Sequence, residues 1–358
     1  MTGLMAADKP LMAAVTGRAG LIRLNRPEAL HALTTNMCQV FSDALSRWEA
    51  DDGVALVMID HAPETRGFCA GGDIRAVAES ARLARSGLGD AAAARRFFRT
   101  EYSLNTRLKY YSKPLIAFMD GVVMGGGVGI SVHGAYRIAT ENTLFAMPET
   151  GIGLFPDIGG GWFLPRLKGE LGMWLALTGE RLKGADVKAA GIATHYVASK
   201  DLPALKAALS ESSSETIEDI LARYDRPVSA PSYAEHIEAI NRIFGKPTLT
   251  DIALALKLED SDWAQHQGEV LATRSPLSLA VTHRQLRVGR QMQRFEEVMR
   301  MEYRIACRMC LSNDFVEGVR AVLEEKDMSP RWSPVSIGCV PEATVAMMFA
   351  PLDVELYD

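Results

Sequence analysis

The sequence predicts an α/β fold with a mainly helical C-terminal half. Short apolar runs of strand length alternate with helical periodicity over the first 200 residues, and strand signals fade after Leu202 while helical periodicity continues. The chain has 358 residues, of which 48% are hydrophobic and 23% charged, which is typical of a globular protein with a large core. We therefore expect an α/β core over residues 12–200, completed by a helical region over residues 201–345.

Four segments of the first half predict strands. "GLIRLNRP" (20–27) has the pattern of a strand that Asn-Arg-Pro ends. "VALVMID" (54–60) and "PLIAFMD" (114–120) are continuous apolar runs, which suit strands buried on both faces. "YRIATENTLFAMPE" (136–149) predicts two short strands around a Glu-Asn turn.

Helical signals lie between and after these strands. Residues 35–52 place apolar side chains on one face, with Thr34 or Thr35 as the N-cap and Gly53 as the stop. We expect a second helix after the glycines that follow residue 120, continuing through Val132.

The second half consists of helical segments joined by polar ones. "SESSSE" (210–215) is a polar linker, and a long helical run covers roughly 278–311. A further helix begins at "DFVEGVRAVL", where Asp314 and Glu317 have capping-box spacing.

Charge and apolar patterning exclude several classes of partner. The net charge is −5 and no basic tract with interleaved aromatics occurs, so nucleic acid is not expected as the main partner. No run of 18 apolar residues predicts a membrane span, and the first ten residues do not have the pattern of a signal or transit peptide. Five cysteines, an odd number, are typical of reduced thiols, and we interpret Cys307 and Cys310 as two thiols on a helix face. These features favour a cytoplasmic protein.

Two glycine clusters, "FCAGGD" (68–73) and "MGGGVGI" (124–130), each follow a strand-like segment and precede a helix-like one. Neither matches the dinucleotide or phosphate-loop patterns, and "GISVHG" (129–134) lacks the second glycine of a nucleophile elbow. Either cluster alone is explained by a tight turn. Together, they could supply one backbone amide each to a shared oxyanion.

Acidic residues in apolar surroundings are the other candidates for a functional site. Glu149 and Asp157 lie in the apolar run "MPETGIGLFPD" (147–157), where an unpaired carboxylate would be costly. Glu149 is alternatively a turn residue, and Asp157 alternatively a helix N-cap. Glu101 occupies one position of a helical apolar stripe, so it either reaches solvent at the edge of the stripe or lines a pocket. No clustered set of metal ligands is evident.

The motifs "LNRPEAL", "FCAGGDI", "MGGGVG" and "MPETGIGLFPDIGGG" resemble those of the crotonase (enoyl-CoA hydratase/isomerase) superfamily. "FFRTEYSLN" and "DFVEGVRAVLEEKDMSPRW" extend the resemblance to its 3-hydroxyisobutyryl-CoA hydrolase branch, over about residues 15 to 335. The resemblance implies a spiral of ββα units and acyl-CoA thioester chemistry.

The resemblance also implies residue roles. The oxyanion amides would be those of Gly72 and Gly126, Glu149 and Asp157 would be catalytic and contact the substrate, and Glu101 would contact the substrate hydroxyl.

The chain departs from the hydratases of the superfamily at Gly129, where they place a second catalytic glutamate. Since a hydratase uses two glutamates on one water, we expect poor hydration of an enoyl double bond. A smaller departure is His31 in place of the Asn of "NAL", from which we expect only a local change near the mouth of the ligand site.

The expected activity is hydrolysis of a short branched 3-hydroxyacyl-CoA such as 3-hydroxyisobutyryl-CoA, which the resemblance connects with valine catabolism. An acyl-CoA would be the small-molecule partner, and no cofactor is expected because CoA is part of the substrate. Two alternatives stay open: an enoyl-CoA hydratase or isomerase, and a non-catalytic acyl-CoA-binding protein. The sequence does not decide the oligomeric state.

Overall fold

In the computed structural model, which describes residues 9–212 and 216–358, the strands form two sheets. The strands of the described residues are β1 (Leu11–Thr16), β2 (Ala19–Leu24), β3 (Leu56–His61), β4 (Gly67–Cys69), β5 (Leu115–Met119), β6 (Val122–Met124), β7 (Tyr136–Ala139), β8 (Leu144–Ala146), β9 (Leu182–Lys183) and β10 (His195–Tyr196). One sheet has the order β1-β2-β3-β5-β7-β10 and the other β4-β6-β8-β9.

Successive strands alternate between the two sheets. β3, β5 and β7 belong to the larger sheet and pair in parallel, while β4, β6 and β8, which follow them along the chain, belong to the smaller one. β1 pairs antiparallel with β2 at the edge of the larger sheet. This alternation is the spiral of ββα units that the sequence resemblance implies, and the predicted α/β class is confirmed.

Helices make up most of the chain after residue 200, as predicted. The described helices are α1 (Thr35–Glu49), α2 (Ile74–Arg85), α3 (Ala92–Lys109), α4 (Gly126–Gly129), α5 (Gly160–Phe163), α6 (Leu171–Thr178), α7 (Ala185–Ala189), α8 (Leu202–Ser210), α9 (Ile217–Tyr224), α10 (Ile237–Phe244), α11 (Leu249–Leu258), α12 (Asp262–Ala272), α13 (Pro276–Gln291), α14 (Phe295–Met309), α15 (Asn313–Val319) and α16 (Glu342–Phe349). Among the described residues, no helix is both long and apolar enough to cross a lipid bilayer.

The chain forms two compact units, each drawn from three segments. The first comprises the chain up to Gly72 together with Leu104–Phe145 and Leu182–Pro231, and the second comprises Asp73–Ser103, Ala146–Arg181 and Ser232–Asp358. These bounds differ from the predicted division at residue 200, which separates strand-rich sequence from helical sequence. The assignment of residues 12–200 to the α/β core and of residues 201–345 to a completing helical region stays a prediction. Residues 213–215 of the predicted polar linker lie outside the described residues.

The core of the first unit lies against its larger sheet. Apolar side chains of β3, β5 and β7 pack with those of α8 and α9, among them Leu56, Ile116, Leu205 and Ile220. The predicted buried strands therefore acquire a helical cover, as strands apolar on both faces require. α1 also forms as predicted, with the hydroxyl of Thr34 accepting the Met37 amide at its N-terminus.

Several details of the sequence prediction are wrong. The sequence did not predict β1, β4, β6, β9 and β10, and the helix after the second glycine cluster ends at Gly129, before Val132. The helical run over 278–311 is two helices, α13 and α14. The capping box at Asp314 is absent because Ser312 caps α15, while the Asp314 carboxylate accepts hydrogen bonds from Ser275 and Ser333.

Candidate active site

The second unit brings the three predicted acids, Glu101, Glu149 and Asp157, into mutual electrostatic contact. Glu101 lies on α3, and its side chain is only 2% exposed. This burial excludes the alternative in which its carboxyl group reaches solvent at the edge of the apolar stripe. An acid on this face of the helix is therefore held within the protein, as the pocket interpretation requires.

Glu149 and Asp157 lie on a loop without regular strand structure. Glu149 begins a 3-10 turn, Glu149–Ile152, directly after Pro148, and both acids are about 5% exposed. Asp157 does not act as the predicted helix N-cap: Gly159 occupies that position in α5, while the Asp157 carboxylate accepts a hydrogen bond of 2.7 Å from the Tyr102 hydroxyl. The side chain of Asp157 is therefore oriented by α3 and not by the helix that follows it.

Burial controls the ionisation of this acid cluster, which we define as Glu101, Glu149 and Asp157. Burial raises the pKa of Glu101 well above its usual range, and the charge of Asp157 raises it further. The pKa of Glu149 is raised by the same two causes. Burial also raises the pKa of Asp157, but only to about 6, because the hydrogen bond from Tyr102 stabilises its carboxylate. The hydrogen bond from Tyr102 thus favours the ionised form of Asp157, whereas burial favours the protonated forms of Glu101 and Glu149.

Two carboxyl oxygens of the acid cluster are available to a ligand. Among the described residues, Glu101 Oε1 and Glu149 Oε2 are buried and have no hydrogen-bond partner. Most buried polar atoms in proteins are paired, and an unpaired one commonly marks a functional site. Each of the two oxygens keeps hydrogen-bonding capacity that a hydroxyl group or a water molecule would satisfy.

The two glycine clusters are neighbours in the first unit. β4 and β6 pair in parallel, so the turns that follow them leave the sheet side by side. A Cβ atom on Gly71 would lie 3.9 Å from the Gly126 nitrogen, and one on Gly127 would lie 2.2 Å from the Cys69 carbonyl oxygen. This approach explains why Gly127 cannot carry a side chain.

The two amides predicted to form an oxyanion hole, those of Gly72 and Gly126, lie in these turns. Gly126 is the first residue of α4, so its amide has no acceptor within the helix. Gly72 pairs with Leu33 in a single parallel β-bridge, in which the Leu33 amide donates to the carbonyl of Gly71. Across the described residues, the amide of Gly72 itself donates to no backbone carbonyl. Within residues 9–212 and 216–358, neither amide has a backbone acceptor, whereas their joint action on one oxygen stays a prediction.

Sequence analysis missed two residues next to Asp157. Tyr102, adjacent to Glu101, is fully buried. Glu302 on α14 is also fully buried, and burial raises its pKa to about 8 although amides of Gly159 and Gly161 stabilise its carboxylate. Glu302 stands among the apolar residues of "FEEVMRMEYRIACRM", which is the signal that identified Glu101. The same criterion applied to α14 would have found it.

His31 and metal ligands are the remaining points raised by the sequence. His31 is fully buried, accepts a hydrogen bond from the amide of Arg26 and bonds Thr65 through its other ring nitrogen. The expected local change near the mouth of the ligand site stays a prediction. Among the described residues, no group of three or more His, Cys, Asp or Glu side chains has the arrangement of a metal site.

Comparison with known proteins identifies the class. The enoyl-CoA hydratase/isomerase family model matches residues 19–349, and the chain belongs to this family. Within the family, the curated relatives include the mitochondrial 3-hydroxyisobutyryl-CoA hydrolases of Danio rerio, 46% identical over 94% of this chain and 88% of the relative, and of Homo sapiens, 45% identical over 94% and 87%. The hydrolase branch resemblance is thereby confirmed.

Solved structures share the fold but have other names. A protein from Mycobacterium thermoresistibile named a carnitinyl-CoA dehydratase is 40% identical, with a TM-score of 0.91 over 98% of both chains. An enoyl-CoA hydratase from Rhodobacter sphaeroides is 38% identical, with a TM-score of 0.86 over 96% of this chain and 98% of the other. The relatives' names therefore divide between hydrolysis and addition or removal of water.

Proposed function

We propose that this protein hydrolyses the thioester of 3-hydroxyisobutyryl-CoA, giving 3-hydroxyisobutyrate and CoA. The observation that carries the proposal is the acid cluster, whose three carboxyl groups are buried together and include two oxygens without partners among the described residues. The names of the curated relatives support the choice of substrate.

In the proposed reaction Glu149 acts at the thioester carbon. Because burial raises the pKa of Glu149, its carboxyl group must lose a proton before it can react. Asp157 would shuttle this proton or position the attacking water. The Glu149 carboxylate then attacks the carbonyl carbon to give an anhydride that water hydrolyses, or it removes a proton from an attacking water. In both routes the C–S bond breaks and CoA leaves as a thiolate that takes up one proton.

The oxyanion that forms during this attack requires two hydrogen-bond donors. We assign them to the amides of Gly72 and Gly126, following the family resemblance and the lack of a backbone acceptor for either amide in the part of the chain that the structure describes. The leaving thiolate has a pKa near ~8.5 by analogy with cysteine, so it needs little help from an acid. The unpartnered oxygen of Glu101 would accept the 3-hydroxyl of the substrate.

Hydration of an enoyl-CoA is the second candidate, because the solved relatives carry hydratase and dehydratase names. Gly129 argues against it, since its position in α4 provides no carboxylate where the hydratases have their second glutamate. A single glutamate would have to deliver hydroxide to C3 and a proton to C2. A non-catalytic acyl-CoA-binding protein is the third candidate, but binding alone gives no reason to bury three acids together.

One experiment separates these functions. The purified protein is incubated with 3-hydroxyisobutyryl-CoA while free thiol is measured with a chromogenic disulfide, and with crotonyl-CoA while the enoyl absorbance is followed. We expect thiol release and little loss of enoyl absorbance. Hydration without thiol release would indicate a hydratase, and binding without either reaction would indicate a binding protein. The Glu149→Gln variant controls for contaminating thioesterases.

The hydrolase activity would place the protein in valine catabolism, as the family resemblance implies. The curated relatives are named as mitochondrial proteins, which does not accord with the cytoplasmic location expected from the sequence. Fractionation of cells that produce the protein would test that expectation.

A further inference from the structure

The backbone directly after Asp157 has an unusual conformation. Ile158 has a φ of +53° and Gly159 has a φ of +87°. A β-branched residue with positive φ is a backbone outlier, and such strain persists only where the surrounding structure enforces it. The carboxyl group of Asp157 is thus attached to a turn that would not keep its shape unaided.

Glu302 holds one side of this turn. Its Oε2 accepts the amide of Gly159 at 2.7 Å and its Oε1 accepts the amide of Gly161 at 2.8 Å. The side-chain amide of Gln285 donates to Oε1 at 3.0 Å. All three partners are donors, so both carboxyl oxygens of Glu302 act as acceptors in this arrangement.

Gln285 holds the other side of the turn. The same side-chain amide that donates to Glu302 also donates to the Pro156 carbonyl at 2.8 Å. In the chain, Asp157 therefore lies between the Pro156 carbonyl, which Gln285 binds, and the amides of Gly159 and Gly161, which Glu302 binds. Both holding side chains are fully buried and come from α13 and α14, far from the turn in sequence.

The same part of α14 supports the side chain that orients Asp157. Tyr303, the neighbour of Glu302, contacts the ring of Tyr102 edge-on, with 6.4 Å between ring centroids. Tyr102 in turn donates to the Asp157 carboxylate. One turn of α14 thus contacts both the backbone that follows Asp157, through Glu302, and Tyr102, the hydrogen-bond donor to Asp157, through Tyr303.

We propose that Glu302 is a positioning residue for Asp157, acting with Gln285 to hold the strained turn of residues 156–161 so that the Asp157 carboxylate meets the reacting groups. This inference rests on the proposed function, in which Asp157 takes part in the chemistry. The alternative is that Glu302 only caps α5 and stabilises the fold.

The test is a double-mutant cycle between positions 302 and 157. Glu302→Gln keeps the size of the side chain but replaces one acceptor by a donor, which opposes the amide of Gly159 or Gly161. Gln285→Met, which frees the Pro156 carbonyl, serves as a second variant if Glu302→Gln does not fold. Each is made in the parent protein and in Asp157→Asn. Glu355→Gln is the matched control, since Glu355 accepts from Arg304 on α14 but does not contact the turn.

Because a displacement of about 1 Å can lower turnover by ~100-fold, we expect Glu302→Gln to lower kcat by about 10-fold to 100-fold with KM nearly unchanged. In the Asp157→Asn background the same change should alter kcat by less than about twofold, because its effect passes through Asp157. Glu355→Gln should behave like the parent.

Equal losses of kcat in the two backgrounds, or no loss in the parent, would overturn the proposal and leave Glu302 as a cap of α5. The cycle uses whichever acyl-CoA reaction the parent protein catalyses. If the parent releases no thiol but catalyses another acyl-CoA reaction, the proposed function is refuted and the cycle on that reaction still decides the role of Glu302. If the parent catalyses no acyl-CoA reaction, both proposals are refuted.

Discussion

The hydrogen bond from Tyr102 to Asp157 allows a quantitative prediction for Tyr102→Phe. The variant removes one hydroxyl group and leaves the buried ring in place. A hydrogen bond to a charged group contributes about 1.5–3 kcal/mol, and one pKa unit corresponds to about 1.4 kcal/mol. Since the Tyr102 hydroxyl stabilises the carboxylate of Asp157, its loss should raise the pKa of Asp157 from about 6 by roughly one to two units.

The assay is kcat/KM for thiol release as a function of pH. If ionised Asp157 is required, kcat/KM rises with pH through the pKa of Asp157. In Tyr102→Phe this rise should move to higher pH by the same one to two units. At pH values below the rise, kcat/KM of the variant should therefore be about 10-fold to 100-fold lower than that of the parent. At higher pH the two proteins should converge. Superimposable profiles would refute the role of Tyr102, and a uniform loss at every pH would indicate misfolding.

Four further predictions concern the acid cluster and the glycines. Glu149→Gln should lower kcat by at least ~100-fold while the fold survives, because the amide resembles the protonated acid that burial favours; near-normal turnover would contradict the assignment. Gly126→Val should lower kcat by a factor corresponding to about 3 kcal/mol, the effect of one lost oxyanion donor, and an unchanged kcat would place the donor elsewhere. Glu101→Ala should narrow the preference in kcat/KM for 3-hydroxyisobutyryl-CoA over isobutyryl-CoA, and an unchanged ratio would place Glu101 outside the acyl site. The pKa of Asp157 is about 6 in the folded protein, against an ordinary value of 3.8. The free energy of unfolding of the parent should therefore fall relative to that of Asp157→Asn as the pH rises from 3.8 to about 6, by on the order of 3 kcal/mol. Denaturant unfolding measures this difference, and a difference that stays constant with pH would show that Asp157 keeps its ordinary pKa.

Strong local signals account for what the sequence predicts well. Continuous apolar runs and helical periodicity identify β3, β5 and α1, because burial dictates residue type at every position of these elements. β6 has only three residues, Val122–Met124, between glycines, and β1 lies at a sheet edge, so neither has a long buried face to reveal it.

The acids of the candidate site were predictable, but the residues that hold them were not. Glu101, Glu149 and Asp157 each stand in apolar sequence, where a charged group needs a reason. The contact between Glu302 and the turn after Asp157 joins residues more than 140 positions apart, and no local pattern reports such a pairing. A buried acid on an apolar helix face indicates that a partner exists without indicating which one.

The construction of the second unit from three separate segments has a consequence for biosynthesis. The acid cluster lies within residues 73–181, but the unit that encloses it also requires Ser232–Asp358. During vectorial synthesis on a ribosome, at about 5–20 residues per second, the early segments must wait for the last one. Nascent chains arrested before α13 would therefore expose the apolar loop around Glu149 to chaperones, and the unit that encloses the acid cluster could form only after Ser232–Asp358 has been synthesised.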